Sequence, residues 1–261
     1  MAKTRLDVAL VERGLAETRA AAQRLVMAGL VFSGDRRLDK PGHAIVADTV
    51  LEVRGQPHPY VSRGGLKLAK ALDHFAIPVA GRVALDVGAS TGGFTDLLLQ
   101  RGARRVYAVD VGTNQLAWKL RSDPRVVSME KTNIRDVTHR QVPEPIDLVV
   151  CDASFIGLRT ALPPALALAA PGAHLVALIK PQFEVGKGRV GKGGIVRDPA
   201  LHQEVCATIS DWLAAQPGWR VLGIVDSPIE GAEGNREFLV SARRVGFDSD
   251  FKGMARSAGS N

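Results

Sequence analysis

Short apolar runs alternate with amphipathic, helix-length segments over residues 63–247. The apolar runs predict strands at Val83–Val87, Val106–Asp110, Val126–Met129, Asp147–Asp152, His174–Lys180, Arg220–Val225 and Glu237–Ala242. The segments between them predict helices at Gly64–Phe75, after Gly93, near Asn114–Leu120, in an Ala/Leu-rich stretch before His174, and at Pro199–Ala215. Because apolar strands alternate with helices, we predict a doubly wound, Rossmann-like α/β domain with a parallel sheet covered on both faces.

Residues 1–58 follow a different pattern and predict a small N-terminal α+β domain. Thr4 is placed to cap a first helix, and Thr18 is placed to cap a second helix over Arg19–Ala28. Short strands are expected after that helix, the last of them over Asp48–Val53. A unit of this size has only a marginal core, so we expect it to lean on a neighbour or a ligand.

Composition sets the domain boundaries. Two prolines and a glycine near the end of the small domain are typical of a short, stiff linker, which we assign to residues 59–62. The α/β domain then covers residues 63–247. Residues 248–261 end in RSAGSN and are predicted to form a flexible tail.

The chain is basic, with a formal net charge of +7. A positive balance favours a polyanionic partner such as nucleic acid. An arginine-rich proteome would produce the same balance, and the charge alone supports the two interpretations equally.

Cysteine content predicts the redox environment of the chain, and hydropathy tests for a membrane span. Cys151 and Cys206 are too few for a disulfide framework or a zinc cluster, which indicates a reducing, cytoplasmic environment. Cys151 lies in an apolar run and is expected to be a core residue. The segment Ala161–Ile179 is apolar but contains prolines and a glycine, whereas a membrane span needs roughly 20 mostly apolar residues. We therefore expect a helix, a turn and a buried strand there, and neither a signal peptide nor a span.

Polar residues stand at the ends of several predicted strands. Asp110 ends the second strand, Asp152 the fourth and Lys180 the fifth, while Asp86 and Gly88 lie at the end of the first. Ligands of open α/β sheets bind beyond the carboxyl ends of the strands. These side chains are therefore expected to meet at a ligand site.

The loop after the first strand reads GASTGG, residues 88–93. Its glycines allow a tight turn and close approach of the backbone to a ligand. The spacing is not the G-x-G-x-x-G of dinucleotide folds, which disfavours a nicotinamide cofactor. From such a loop alone, the chance that the turn is purely structural is roughly one in three. Because Asp110 is suited to ribose hydroxyls, we predict a site for an adenosyl cofactor.

A basic, glycine-rich segment follows Lys180. It resembles a phosphate-binding loop but lacks the final Ser or Thr and the strand-to-helix context of that motif. One interpretation is a solvated loop, and the other, which we favour, is a mobile flap over RNA phosphates. Its basic residues are Lys187, Arg189, Lys192 and Arg197.

Several motifs resemble the TlyA family of rRNA 2′-O-methyltransferases, often named hemolysins. In chain order they are VSRGGLKL, LDVGASTGGFTDLLL, VYAVDVG, LVVCDASFIGL, LIKPQFEVGKG and GNREFLV, which together extend over nearly the whole chain. The catalytic domain is similar to the wider FtsJ (RrmJ-like) group, whose Lys-Asp-Lys-Glu tetrad falls on Lys67, Asp152, Lys180 and Glu237.

The N-terminal residues resemble the S4-type RNA-binding domain. The matching positions include Arg5, Arg13, Arg19 and Gln23. Thr18 replaces the serine that the family has before its arginine, and the turn VFSGD replaces a V-x-V-N-G-like turn. These departures leave the domain assignment intact.

The resemblance implies methylation of a ribose 2′-hydroxyl in ribosomal RNA with S-adenosylmethionine (AdoMet). The target it implies is a cytidine of large-subunit rRNA, with small-subunit rRNA as a further target. Lys180 would be the base, which requires its neutral form; Lys67 would supply a neighbouring charge and hold the nucleotide. Asp152 would orient Lys180, and Glu237 would complete the network.

The resemblance also implies binding residues. The cofactor set is Asp86, Gly88, Ser90, Thr91, Gly92, Gly93, Asp110 and Asp136, with the glycine loop facing the methionine part, Asp110 the ribose and Asp136 the adenine. The RNA set is Arg5, Arg13, Arg19, Gln23, Arg63, Lys187, Arg189 and Lys192. The partner is rRNA or a ribosomal subunit, and we expect a monomer without a metal ion.

Three other functions remain open from the sequence. The first is an RNA-binding or ribosome-assembly protein with a vestigial catalytic domain, which the intact tetrad disfavours. The second is a membrane-active hemolysin, for which no lytic helix is visible. The third is a nicotinamide oxidoreductase, which the glycine spacing disfavours.

Overall fold

The computed structural model describes residues 3–54, 58–186, 188–231 and 234–245. The chain divides into two compact units, Met1–Leu66 and Lys67–Asn261. The linker assigned to 59–62 and the boundaries drawn from it stay predictions. The predicted tail, 248–261, and Lys187 lie outside the described residues.

The first unit combines two helices with short strands. Its elements are β1 (Lys3–Arg5), α1 (Leu6–Glu12), α2 (Arg19–Met27), β2 (Val31–Ser33), β3 (Arg36–Arg37), β4 (Ala44–Val46) and β5 (Glu52–Val53). The hydroxyl of Thr18 accepts a hydrogen bond from the backbone N–H of Ala21, which confirms it as the cap of α2. The predicted cap at Thr4 is wrong, because Thr4 lies within β1 and pairs with Ile45 of β4.

The second unit is a seven-stranded sheet with helices between the strands. Its helices are α3 (Gly64–His74), α4 (Gly93–Gln100), α5 (Trp118–Arg121), α6 (Leu158–Leu168), α7 (Pro181–Glu184) and α8 (Pro199–Ala214). Its strands are β6 (Val83–Val87), β7 (Arg105–Val109), β8 (Val126–Met129), β9 (Ile146–Cys151), β10 (Ala169–Ile179), β11 (Trp219–Asp226) and β12 (Phe238–Arg244). The strand order is β11-β12-β10-β9-β6-β7-β8, which confirms the doubly wound fold. Every residue of β6 is buried, so both faces of the sheet are covered at its centre.

The prediction of an all-parallel sheet is wrong for one strand. β12 pairs antiparallel with both β10 and β11, whereas β10, β9, β6, β7 and β8 pair in parallel. A parallel connection needs a crossover, which is usually a helix. Among the described residues between β11 and β12 there is no α-helix, so the chain returns as an antiparallel neighbour.

The inverted strand brings a distant residue to the functional edge. Because β12 runs against β10, it begins where β10 ends, and Phe238 pairs with Ile179. Glu237 and Lys180, the residues next to this pair, therefore lie beside each other at the carboxyl edge of the parallel strands.

Some predicted bounds also differ. The helix expected near Asn114–Leu120 is limited to α5, because the carboxylate of Glu130 accepts the N–H groups of Gln115 and Leu116 and so replaces helical bonding there. The strand expected over Asp48–Val53 is limited to β5. α6 runs through two prolines, and the turn expected after it is a register break inside β10. Cys151 is fully buried, as expected of a core residue.

Candidate active site

Four charged side chains form two ion pairs at the carboxyl edge of the sheet. The Nζ atom of Lys67 lies 2.5 Å from Oε2 of Glu237, and Nζ of Lys180 lies 2.6 Å from Oδ1 of Asp152. Lys67, Lys180 and Glu237 are buried, and Asp152 is partly buried. Charges out of water are costly unless they are paired, and pairing is what the structure shows here.

The fold explains why residues so far apart in the chain meet. Asp152, Lys180 and Glu237 stand at the ends of β9, β10 and β12, which are neighbours in the sheet. Lys67 lies in α3 and reaches the same edge from that helix. All four positions implied by the resemblance are therefore brought to one place.

Lys180 is surrounded by acceptors. Besides its ion pair with the Asp152 carboxylate, its Nζ donates to the hydroxyl of Ser154 at 2.8 Å and to the carbonyl oxygen of Asp152 at 3.2 Å. An ammonium group has three donors, so this arrangement accommodates the charged form of Lys180. Ser154 was missed from the sequence, because a serine two residues past a strand has many ordinary uses in turns.

Glu237 lies in a confined and poorly solvated place. Burial raises the pKa of its carboxyl, and the nearby charge and hydrogen bond of Lys67 oppose that shift. A Cβ atom at Gly231 would come within 2.0 Å of Oε1 of Glu237, so a larger residue there would displace this carboxylate from its present position. The close approach is invisible in the sequence, since Gly231 lies in an irregular segment.

A cavity of about 490 Å³ opens beside the tetrad. It lies where the strand order reverses on either side of β6, the usual ligand position in such sheets. Its lining includes Gly88, Ser90, Asp110, Asp152 and Phe155. The structure thus places the end of β6, the end of β7 and one member of the tetrad around a single space.

Asp110 is held rigidly at this cavity. Its Oδ2 accepts from the backbone N–H of Ser90 at 2.8 Å, and its Oδ1 accepts from the N–H of Gly112 at 2.7 Å. A carboxylate has about four acceptor positions, so two remain for a ligand. Rigid acceptors of this kind suit a pair of neighbouring hydroxyls.

Only part of the glycine loop, residues 88–93, lines the cavity. Gly88 has a left-handed φ of 81°, and a Cβ there would lie 2.9 Å from the backbone of Ala153, so glycine is required where the ends of β6 and β9 meet. Gly92 faces the side chains of Leu116 and Leu120 instead. Ser90 lines the cavity, whereas Thr91, Gly92 and Gly93 do not.

Asp136 is placed apart from the cavity. It is exposed, in a single 3-10 turn over Ile134–Asp136, and it is not part of the cavity wall. Asn133, which caps that turn through its side chain, does line the cavity. Both residues are polar and stand close together in one loop, so the sequence could not separate them.

Asp86 lies behind the cavity and is fully buried. Its Oδ2 accepts from the hydroxyl of Thr95 at 2.7 Å, and its Oδ1 has no hydrogen-bond partner within the described residues. Burial raises the pKa of Asp86 to about 7, and the charges of Asp152 and Asp110 add to that increase.

This raised pKa predicts a pH-dependent stability. The folded pKa lies above the value of about 3.9 for an unfolded aspartate, so the contribution of Asp86 to stability is present below pH 4 and lost as pH rises through 7. We expect the unfolding temperature of the ligand-free protein to fall between pH 5 and pH 8, and less so in Asp86→Asn. Thermal unfolding of both proteins across this range measures the difference; identical slopes would show that Asp86 does not titrate there.

An exposed aromatic ring stands at the mouth of the cavity. Phe155 is 91% exposed, has a left-handed φ of 65°, and lies three residues after Asp152. Its ring centroid is 5.3 Å from that of Phe183 in α7. Strained backbone at a large apolar residue is costly and clusters at functional sites. This exposure could not be predicted from the sequence, because a Phe after a strand is ordinarily a core residue.

The basic segment after Lys180 is only partly available for RNA. Both Nη atoms of Arg189 bond the carboxylate of Glu204, at 2.5 and 2.6 Å. Lys192 is exposed, in a short 3-10 turn. The side chain of Asn235 bonds Gly194 and Val196, which fixes the end of the segment. Whether the segment acts as a flap stays a prediction.

Three of the candidate RNA-binding residues in the first unit meet at one carboxylate. Arg5, Arg19 and Gln23 all donate to the carboxylate of Asp7. Arg13 instead donates to the backbone carbonyls of Ala47 and Thr49. Arg63 lies just before α3 and is partly buried.

Comparison with known proteins finds two family models in the chain and close relatives over most of its length. A family model described as FtsJ-like methyltransferase matches residues 60–244, and a model of the S4 domain matches residues 4–51. YqxC of Bacillus subtilis is 54% identical over 91% of this chain and 85% of its own length. The 16S/23S rRNA (cytidine-2′-O)-methyltransferase TlyA of Mycobacterium tuberculosis is 48% identical over 92% of this chain and 90% of its own.

A solved structure matches most of the chain. It is a Streptococcus thermophilus protein that carries a hemolysin name, and it matches with a TM-score of 0.73 at 47% identity, covering 94% of this chain and 90% of that one. No helix in the described part of the present chain is long and apolar enough to cross a bilayer.

Proposed function

The chain belongs to the TlyA family of FtsJ-like methyltransferases with an N-terminal S4 domain, and on this premise we propose that it methylates the 2′-hydroxyl of a cytidine ribose in ribosomal RNA. The observation that carries the proposal is the pairing of Lys67 with Glu237 and of Lys180 with Asp152 at the edge of the cavity. AdoMet is the proposed methyl donor.

The cavity fits an adenosyl cofactor. Asp110 has acceptor capacity left for ribose hydroxyls, and Gly88 has no side chain to obstruct close approach. The volume of about 490 Å³ is in the range of small-molecule sites. When bound, AdoMet supplies a methyl group that its sulfonium charge makes electrophilic.

The tetrad residues would handle the proton and the nucleotide. A ribose hydroxyl must lose its proton as it attacks, and Lys180 in its neutral form would accept that proton on Nζ. In the arrangement described, two lysines balance two carboxylates. Asp152 orients Lys180, and Glu237 holds Lys67 in place.

Phe155 would act as a stacking platform for the target base. Its exposure and position beside Asp152 suit a base turned out of its RNA stack. We expect Phe155→Ala to lower kcat/KM for RNA at saturating AdoMet by roughly tenfold, given stacking energies of about 1–3 kcal/mol per base. Because Phe155 also lines the cavity, its effect on AdoMet affinity is measured separately. Phe155→Trp should restore the activity. Steady-state kinetics on rRNA and calorimetric titration with AdoMet measure the two effects, and equal kcat/KM for wild type and Phe155→Ala would exclude stacking.

The function is tested directly on ribosomal subunits. Small and large subunits from cells that lack the enzyme are incubated with the protein and AdoMet, and 2′-O-methyl groups are then mapped on both rRNAs. New methylation at a cytidine ribose is the expected result. RNA binding without methylation would favour an assembly protein, and leakage of liposomes at low protein concentration would favour a lytic function.

Other features stay proposals. The TlyA relative acts on 16S and 23S rRNA by its name, and which of the two this chain modifies is decided by the same mapping. From a substrate of this kind we propose a cytoplasmic location. The monomeric state expected from the sequence stays a prediction.

A further inference from the structure

A buried carboxylate in the first unit accepts hydrogen bonds from three candidate RNA-binding side chains. Asp7 lies in α1 and is fully buried. Arg5 donates from Nε and Nη2 to its two oxygens, at 3.0 Å each. From α2, Nε of Arg19 and Nε2 of Gln23 each lie 2.9 Å from Oδ2. One carboxylate thus fixes two guanidinium groups from different elements.

We propose that Asp7 is a positioning residue, which holds Arg5 and Arg19 in the orientation in which they contact RNA phosphates. The inference rests on the RNA-binding function proposed above. The two arginine side chains remain 51% and 55% exposed while their carboxylate is hidden. Their remaining N–H groups have no partner within the described residues, so each arginine is anchored at one side and available at the other.

Anchoring of this kind matters for a phosphate site. A surface arginine is flexible, and ordering it when RNA binds lowers affinity. Two arginines that are ordered beforehand avoid that loss and present a fixed geometry to a phosphate. Asp7 therefore contributes to affinity without touching RNA.

A purely structural role, joining α1 to α2, is the main alternative. Apolar side chains, among them Leu6, Leu10 and Val26, already form the core between these helices. A buried ion pair is seldom more stabilising than apolar packing of the same size. A structural link would also need only Arg19 or Gln23, whereas Arg5 gives both of its bonds to Asp7 without joining the helices.

The charge of Asp7 allows the proposal to be tested by the direction in which RNA affinity changes. The hydrogen bonds that Arg5 donates to Asp7 have the largest effect on the pKa of this carboxyl, and those from Gln23 and Arg19 add to it. Together they hold the pKa of Asp7 far below its usual range, so the carboxylate stays ionised at neutral pH. A negative charge near an RNA-binding surface repels phosphate. Coulomb forces alone therefore predict that Asp7→Asn binds RNA more tightly, whereas loss of positioning predicts weaker binding.

The experiment compares full-length wild type and Asp7→Asn on small and large ribosomal subunits from cells that lack the enzyme, the same substrates as in the mapping above. We expect Asp7→Asn to raise the Kd and the KM for RNA roughly tenfold, with kcat and AdoMet affinity unchanged. Affinity equal to or higher than that of wild type would overturn the inference and leave the proposed function standing. If wild type itself neither binds nor methylates the RNA, the proposed function fails instead.

Three further variants test the interpretation. Glu52→Gln removes an exposed carboxylate paired with Arg54 in the same unit and should not weaken RNA binding. In an Arg5→Ala/Arg19→Ala background, Asp7→Asn should cause no further loss; an additional loss would contradict action through the arginines. If Asp7→Asn unfolds, Arg19→Lys carries the test: it keeps the charge but loses the planar fork, and unchanged RNA affinity would overturn the inference.

Discussion

Replacing Lys180 by Ala is expected to lower the methyl-transfer rate by roughly three orders of magnitude, the range of a general base, while AdoMet affinity stays nearly intact. The physical reason is that Lys180 is buried at the end of β10 and bonded to Asp152 and Ser154, next to the cavity but not part of its wall. Single-turnover methylation of rRNA and calorimetric titration with AdoMet measure the two quantities separately.

Two variants show whether Lys180 acts by taking a proton. Lys180→Arg keeps a positive charge beside Asp152 but cannot be deprotonated in a protein, so we expect it to be as inactive as Lys180→Ala. Lys70→Ala, in the same helix as Lys67 but exposed, is the matched control and should retain full activity. Substantial activity in Lys180→Arg would show that charge and positioning are sufficient, and activity in Lys180→Ala would remove Lys180 from the mechanism.

Much of the site could be predicted, because strand ends are visible in a sequence. Asp110, Asp152 and Lys180 each follow an apolar run, and the carboxyl ends of parallel strands share an edge, so their convergence follows from the pattern. Lys67 and Glu237 could not be found in this way. Lys67 lies in an ordinary amphipathic helix, and Glu237 precedes a strand whose direction the sequence does not reveal.

The remaining misses come from contacts between segments distant in the chain. The inverted β12, the helix shortened by Glu130 and the pairing of Thr4 with Ile45 all depend on bonds formed only after folding. The left-handed backbone at Phe155 is a further case, since no local residue preference predicts it. Tertiary bonding thus overrides local propensity at the places where the site departs from expectation.

The second large effect is expected in cofactor binding. Asp110→Ala should weaken AdoMet affinity about a hundredfold, because two hydrogen bonds to a charged acceptor at roughly 1.5 kcal/mol each amount to about 3 kcal/mol. The substitution also removes the acceptor that fixes Ser90 and Gly112 at the cavity wall. At saturating AdoMet, kcat on rRNA should recover most of its wild-type value, since Asp110 does not touch the tetrad in this structure.

The controls for Asp110 separate a ligand contact from a loop support. Asp123→Ala removes a loop aspartate held by Arg125 and should leave AdoMet affinity unchanged. Asp110→Asn keeps the side chain's size and one acceptor oxygen, but its NH₂ group accepts no hydrogen bond, so one of the N–H groups of Ser90 and Gly112 loses its acceptor. An affinity between those of wild type and Asp110→Ala is therefore expected. If Asp110→Ala binds AdoMet as tightly as wild type, the cofactor lies elsewhere; Asn133→Ala and Asp136→Ala, compared in the same titration, then show which part of the neighbouring loop it contacts.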